Sequence, residues 1–515
     1  MVDVSKGANR AMGAEQNINR PLLAAVAATS LAAVLFVALL NIGVGQSWDS
    51  NFYLLFSQQI RLNGSTSLGE GLYAPAYPVT LALLTIAGLS TEAAMTLVNA
   101  AAVGAIFLAG WRVIPTSPPL TRMLLGVVAV GVALTSESFF FAWSEPLFTA
   151  ILALAVSEAV RCFDGRNVSP TLLALLLVLP LSRYIGIVSS VALLGVMAMR
   201  FYPTTARPEN GRMMLRVLVA VIVAVVPLIA VGVWNHLSYG CALGCRVPSE
   251  TSAAENVVLL GRALWRDRLV LAPIAISIVA LAVVARRDHA RLVVALIPVA
   301  VAGLSFAAQV ASSSLVSIDP IDGRFVSPYY PLLVLSLAAL IGGMGDRLRI
   351  INALLSLLIV CQFAVAGNRL ADMLTRTSDT GSITDVGYKL TPAFAQVRER
   401  THANSVVSFF PETEGYGNLS AYLLLNSAYW EQCRPTALSD DANEARVELS
   451  CADGRLRNGL AMSVPRDLPD DAEILFVDKA RLDGSSAPAV KEMASRRVLE
   501  VVFETEAFTL YAGAP

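Results

Sequence analysis

Apolar residues along this chain come in blocks of roughly 20, the length that crosses ~30 Å of hydrocarbon. The first block is Pro21–Gly43. Others run near 91–111, 122–142, 144–160, 168–183, 184–199, 214–234, 268–285, 291–312, 325–343 and 350–367. The pattern predicts an α-helical polytopic membrane protein with about eleven spans. Pro21–Gly43 is too long for the core of a cleaved signal, and no clear small-x-small site follows it. It reads as a permanent first helix. One segment breaks the rhythm. Gly45–Leu89 starts polar, and its second half, Tyr73–Leu89, is apolar but short and carries two early prolines. It reads as a loop, 44–90, that ends in a helix lying at or dipping into the membrane interface. An ordinary short span there would move every later loop to the other face.

Beyond Asn368 the periodicity changes. Ser405–Phe409, Glu473–Asp478, Val498–Phe503 and Phe508–Ala512 read as strands, and Ala421–Tyr429 and Ala487–Arg497 as helices. Strands alternating with helices predict a small C-terminal α/β domain. The expected layout is a tail over 1–20, a transmembrane unit over 21–367 and the C-terminal domain over 368–515.

Composition sharpens this picture. Hydrophobic residues are 55% of the chain and charged residues 15%, against about a quarter charged in soluble proteins. The net charge of −1 supplies no field for nucleic acid, which is excluded as a partner. Lys6, Arg10 and Arg20 precede the first span and favour a cytoplasmic N-terminus. Threading the spans from there collects Arg112, Arg122, Arg161, Arg166, Arg286, Arg291, Arg347 and others in the cytoplasmic loops, as the positive-inside rule requires. An odd number of spans then puts the C-terminal domain outside the cytoplasm, the protein being multi-pass in the cell or inner membrane. Cys241 and Cys245, and Cys433 and Cys451, fall on that outer side and read as disulfide pairs. The alternative for the Cys-x3-Cys pair, a metal-binding fragment, lacks a cluster to complete it.

Charges near membrane depth are costly and tend to be functional. Here they gather on the outer side: Asp49, Glu137, Glu145, Arg183, Asp319, Asp322 and Arg324. Each has a plain structural explanation by itself. Asp49 could cap a helix, Glu145-Pro146 could open one, and Arg183 could snorkel to the surface. Their order and shared side are harder to explain that way. Five stretches carry them or flank them: Trp48–Tyr53, Tyr73–Pro78, Ser144–Phe148, Ser182–Gly186 and Asp322–Pro331.

In that order these stretches resemble the GT-C superfamily of membrane glycosyltransferases, which includes protein O-mannosyltransferases and bacterial lipid A aminoarabinose transferases. The resemblance covers about residues 20–367. Two departures stand out. Ser50 follows Asp49 where many members have a second acid, which weakens any metal assignment. No Lys occurs between Lys6 and Lys389, so arginine must grip phosphate.

The resemblance implies transfer of a sugar from a polyprenyl-phosphate-linked donor to a lipid, glycan or protein acceptor at the outer face, with inversion. It implies Asp49 as the base for the acceptor hydroxyl, on the face opposite the phosphate. Arg183 and Arg324 would hold the donor phosphate, with Arg61 and Arg246 in reserve. Glu145 would bind sugar hydroxyls or orient an arginine, Tyr73 and Tyr77 would stack on the sugar or line the groove, Tyr53 would contact sugar or acceptor, and Asp322 would do so or stand behind those that do. Glu137 and Asp319 would stand behind them. His236 reads as a packing or capping residue, and the C-terminal domain as a cover over the site or an aid to acceptor binding. No cofactor is required, and a divalent cation is allowed without being called for. The competing classes are a transporter or flippase of a lipid-linked substrate and a non-catalytic envelope assembly protein.

Overall fold

The computed structural model describes residues 4–42, 44, 48–63, 73–165, 168–201, 208–242, 248–249, 251–286, 288–316, 321–342, 344, 347–379, 406–410, 433–441, 444–451, 456–459, 472–478, 492, 495, 499–504 and 508–513. Its helices are α1 (Val4–Ile42), α2 (Trp48–Asn63), α3 (Ala76–Ile86), α4 (Thr91–Arg112), α5 (Pro119–Leu134), α6 (Glu145–Gly165), α7 (Pro170–Ser182) and α8 (Gly186–Phe201). They continue with α9 (Pro208–Tyr239), α10 (Ala253–Arg266), α11 (Arg268–Val284), α12 (His289–Leu315), α13 (Gly323–Val326), α14 (Tyr330–Ile341) and α15 (Leu348–Asp379). Every expected span overlaps one of them, although the span expected over 122–142 meets a shorter helix, α5 ending at Leu134.

Local chemistry sets the helix ends. Ser90 and Ser169 each accept a hydrogen bond from the backbone N–H three residues on. Ser252 and Glu255 close a reciprocal capping box at α10, satisfying donors the helix cannot.

Among the described residues, six helices are long and apolar enough to cross a membrane, and the α10–α11 pair, bent by 85°, passes the same test as one broken span. Shorter apolar helices, including α5, α7 and α8, pack among them. At 11 residues, about 16 Å, α3 cannot cross the hydrocarbon. α14 forms the centre of the bundle, with Leu332, Val334, Leu335, Leu337, Leu340 and Ile341 all buried. α1, α9, α11 and α15 are peripheral and expose Val34, Ile229, Ile276 and Leu357. Side chains of this kind, exposed in bulk on a helical girdle, belong against lipid.

The chain turns back and forth, so its turns segregate to two ends. The C-terminal ends of α4, α6, α8, α11 and α14 lie at one end of the bundle, and those of α1, α5, α7, α12 and α15 at the other.

The C-terminal strands are β1 (Val406–Phe410), β2 (Cys433–Asp441), β3 (Glu444–Cys451), β4 (Leu456–Gly459), β5 (Ala472–Asp478), β6 (Leu499–Glu504) and β7 (Phe508–Gly513). The four expected strands form a sheet ordered β1-β5-β7-β6, with β1 and β5 parallel. The antiparallel sheet β2-β3-β4 was not expected from the sequence. The helix expected over Ala421–Tyr429 lies outside the described residues. Of Ala487–Arg497, only Glu492 and Ser495 are described, both helical. β2 comes against α2. α15 continues past Asn368 to Asp379.

Cys241 is disulfide-bonded, while Cys245 lies outside the described residues. Cys433 and Cys451 face each other in register across β2 and β3. Cys162 and Cys361 are free.

Candidate active site at one end of the bundle

Three local devices aim the charged side chains. α2 begins immediately before Asp49, leaving the carboxylate in its first turn. α6 begins at Glu145, with Pro146 tolerated in its first turn. The chain leaves α7 at Arg183 in an extended conformation (φ −155°, ψ 141°) and re-enters α8 at Gly186. A Cβ on Gly186 would lie 2.3 Å from the carbonyl oxygen of Leu179. Only glycine lets the chain double back so tightly, and that reversal presents Arg183.

The side chains form one connected cluster. Arg324 Nη1 donates to Asp49 Oδ2 at 3.0 Å, and Arg324 Nε to Asp322 Oδ2 at 3.1 Å. Asp322 Oδ1 also accepts from the Arg324 backbone N–H at 2.8 Å. Tyr73 donates its hydroxyl to Asp49 Oδ1 at 3.1 Å. Arg183 Nη1 pairs with Glu145 Oε1 at 2.5 Å, both side chains largely buried. The two guanidinium groups converge on one ring: their carbons lie 5.4 Å (Arg183) and 5.9 Å (Arg324) from the centroid of Phe325. Arg324 also sits 5.0 Å over Trp143. Such cation–π contacts hold a cation without consuming its hydrogen-bond donors.

Aromatic residues form the floor. Tyr53 meets Tyr73 and Tyr77 edge-on, at 5.2 and 5.1 Å between centroids. Its hydroxyl lies 2.9 Å from Ser144 Oγ. Burial, reinforced by the charges of Glu145 and Asp49, pushes the Tyr53 phenol well above its ordinary range, so it stays neutral. Tyr184 donates to the Tyr73 carbonyl at 3.1 Å, tying the α7–α8 turn to the segment before α3.

The structure thus brings together Asp49, Tyr53, Tyr73, Glu145, Arg183, Asp322 and Arg324. It changes three expectations. Asp49, expected as the base for the acceptor hydroxyl, is ion-paired with Arg324. Tyr77 is completely buried behind Tyr53, which leaves no ring face open to a sugar. Arg61, in the last turn of α2, shares no ion pair with the cluster among the described residues, and its Nε is buried without a hydrogen-bond partner. Arg246 and Asp319 lie outside the described residues. His236 Nδ1 faces the Gly240 carbonyl at 3.2 Å, in keeping with a helix-end role.

Sequence reasoning gave no role to Trp143, which lies under Arg324 from far along the chain, or to Phe325, which directly follows Arg324. It also missed a second polar network at the same end. Asp267, at the α10–α11 bend, is almost wholly buried. Its Oδ2 accepts from the Tyr330 hydroxyl at 2.5 Å, and Oδ1 accepts from Arg369, which also reaches the Thr135 carbonyl. Arg266 lies beside it, 3.5 Å from Glu137.

A divalent cation fits poorly. Among the described residues, no three His, Cys, Asp or Glu side chains group in a way that could hold a metal. The acids nearest the centre are already engaged with arginines, and hard cations want several oxygen ligands.

An apolar helical bundle with a buried, charged and aromatic cluster at one end defines a class: a polytopic membrane protein with a candidate site at that end. Its fold is similar to that of ArnT from Cupriavidus metallidurans bound to undecaprenyl phosphate, with a TM-score of 0.56 over 95% of this chain and 99% of that one at 11% identity. The apo state of the same protein matches with a TM-score of 0.54, 95% and 98% coverage and 10% identity. The chain therefore shares the overall fold of that protein. No family model matches the sequence, and no curated protein matches it.

Proposed function

We propose that this chain is a membrane glycosyltransferase that moves a sugar from a polyprenyl-phosphate-linked donor to a lipid, glycan or protein acceptor at the outer face of the membrane. The observation that carries this reading is the convergence of Arg183 and Arg324 on Phe325, each paired with an acid from another helix. Two guanidinium forks beside an apolar bundle suit a lipid phosphate: the tail lies among helices while planar, permanently charged donors meet the phosphate oxygens.

In this reading the donor phosphate takes Arg324 over from Asp49, exchanging one anionic partner for another. The Asp49 carboxylate, still held by Tyr73, then accepts the proton of the acceptor hydroxyl as that oxygen attacks the anomeric carbon. The bond to phosphate breaks, and the phosphate leaves as an anion stabilised by Arg183 and Arg324. Attack from the side opposite the phosphate inverts the anomeric centre. Glu145 keeps Arg183 in place. The contact of β2 with α2, the helix carrying Asp49, supports a C-terminal domain over 368–515 that covers the site or helps seat the acceptor.

The proposed topology has about eleven spans, a cytoplasmic N-terminus and the site outside. A reporter fused after Asp379 should be active only outside the cytoplasm. Activity in the cytoplasm would invert the orientation. For the chemistry, membranes carrying Asp49→Asn should lose roughly 10²–10⁴ of the transfer of radiolabelled sugar from a polyprenyl-phosphate donor, the usual range for a lost general base. Full transfer by a folded Asp49→Asn protein would remove Asp49 from that role.

A further inference from the structure

The cluster around Arg324 has a neighbour that the proposed chemistry leaves unused. Arg266 ends α10, and its side chain is 55% exposed. Its ion pairs are long: 3.5 Å from Nη2 to Glu137 and 3.8 Å from Nε to Asp267. Pairs so long and so open to water contribute little to stability. Its Nη2 also comes up beside Gly323. A Cβ built on Gly323 would lie 2.7 Å from Arg266 Nη2, so only glycine leaves room for the guanidinium there.

Gly323 stands between Asp322 and Arg324, in the turn that sets the direction of Arg324. Asp322 grips both the backbone N–H and the Nε of Arg324. The next residues are fixed by Gln309, which donates to the Phe325 carbonyl at 3.0 Å, and by Ser136, 2.7 Å from Ser327. Gly323 itself lies against Arg266. Behind Arg266, Asp267 is a rigid post, buried and held by Arg369 and Tyr330.

We propose that Arg266 is a positioning residue that braces the Asp322-Gly323-Arg324 turn through Gly323 and keeps the Arg324 guanidinium aimed at Asp49. The bend between α10 and α11 puts Asp267 and Arg266 side by side, so the buried network anchors the brace. The link to catalysis rests on the function proposed above; the brace itself rests on geometry alone.

A double-mutant cycle with two readouts tests it. Arg266→Ala removes the brace, and Gly323→Ala pushes it away. The atom displaced is the far end of a flexible side chain, so the backbone can stay in place. The first readout is kcat/KM for the polyprenyl-phosphate donor in lipid nanodiscs. Each single variant should lose about 10-fold, mostly in donor KM, well short of the 10²-fold that a 1 Å misplacement can cost. The double variant should lose no more than Arg266→Ala alone, because both changes break one contact. The second readout needs no donor: the rate at which phenylglyoxal modifies Arg324, followed by mass spectrometry with Arg183 as internal reference. Arg324 should react several-fold faster in both single variants and no faster still in the double. Losses that multiply in the double variant, or unchanged Arg324 labelling in Arg266→Ala, would overturn the brace. If wild-type protein transferred no sugar, the functional reading would fall, and the labelling cycle would still decide the brace.

Discussion

The two ends of the helical bundle both carry arginines, and they use them differently. At one end, Arg324 meets an acid 275 positions away and Arg369 one 102 positions away, and Arg183 reaches from the α7–α8 turn to the start of α6. At the other end, Arg161 and Arg291 pair with acids three residues earlier in the same helix or its cap. Arg122 donates to the nearby Trp111 carbonyl and stacks on its ring. Local pairs need no tertiary structure and cost little to lose. Long-range pairs in partial burial exist only because the fold gathers them, and both partners must be desolvated to form them. The first pattern is the one the proposed site rests on, and the second needs no more than solvated helix ends.

Three substitutions would break or sharpen that contrast. Arg369→Ala leaves the Asp267 carboxylate buried without its main cation and should cost about 3–5 kcal/mol in a reversible denaturation titration in detergent. A loss below ~1 kcal/mol, within the range of exposed pairs, would place this end in the same category as the other. Tyr53→Phe removes a buried hydroxyl that contacts Ser144 and should cost about 1–2 kcal/mol by the same titration. No change would mean that the aromatic floor does not depend on that contact. Arg161→Ala should cost about 0.5 kcal/mol or less, with transfer activity unchanged. A large loss of activity there would show that the opposite end also serves the reaction.

Much of this was legible in the sequence, for identifiable reasons. The spans were visible because hydrocarbon demands long apolar runs. Asp49, Glu145, Arg183 and Arg324 were visible because charge at a membrane boundary is conspicuous. Their pairing was not: nothing local says that Asp49 meets Arg324, 275 positions along the chain. Asp267 and Arg369 were missed because each looks like an ordinary helix-end charge until the 85° bend at α10–α11 buries one against the other. α10 itself was missed because only its apolar face is span-like, and Arg262 and Arg266 interrupt it. The strands β2 and β3, Cys433–Asp441 and Glu444–Cys451, are rich in charged residues and lack the β-branched runs that mark strands.

The most direct test of the central claim, that Arg183 and Arg324 form a single phosphate site, is the affinity of purified protein for polyprenyl phosphate itself. Wild type, Arg183→Ala, Arg324→Ala and the double variant would be compared in nanodiscs, with Arg291→Ala as the control from the opposite end. Each single variant should weaken binding at least about 10-fold, the range of one or two charge-assisted hydrogen bonds, while Arg291→Ala binds as wild type does. Undiminished affinity in both Arg183→Ala and Arg324→Ala would contradict the account.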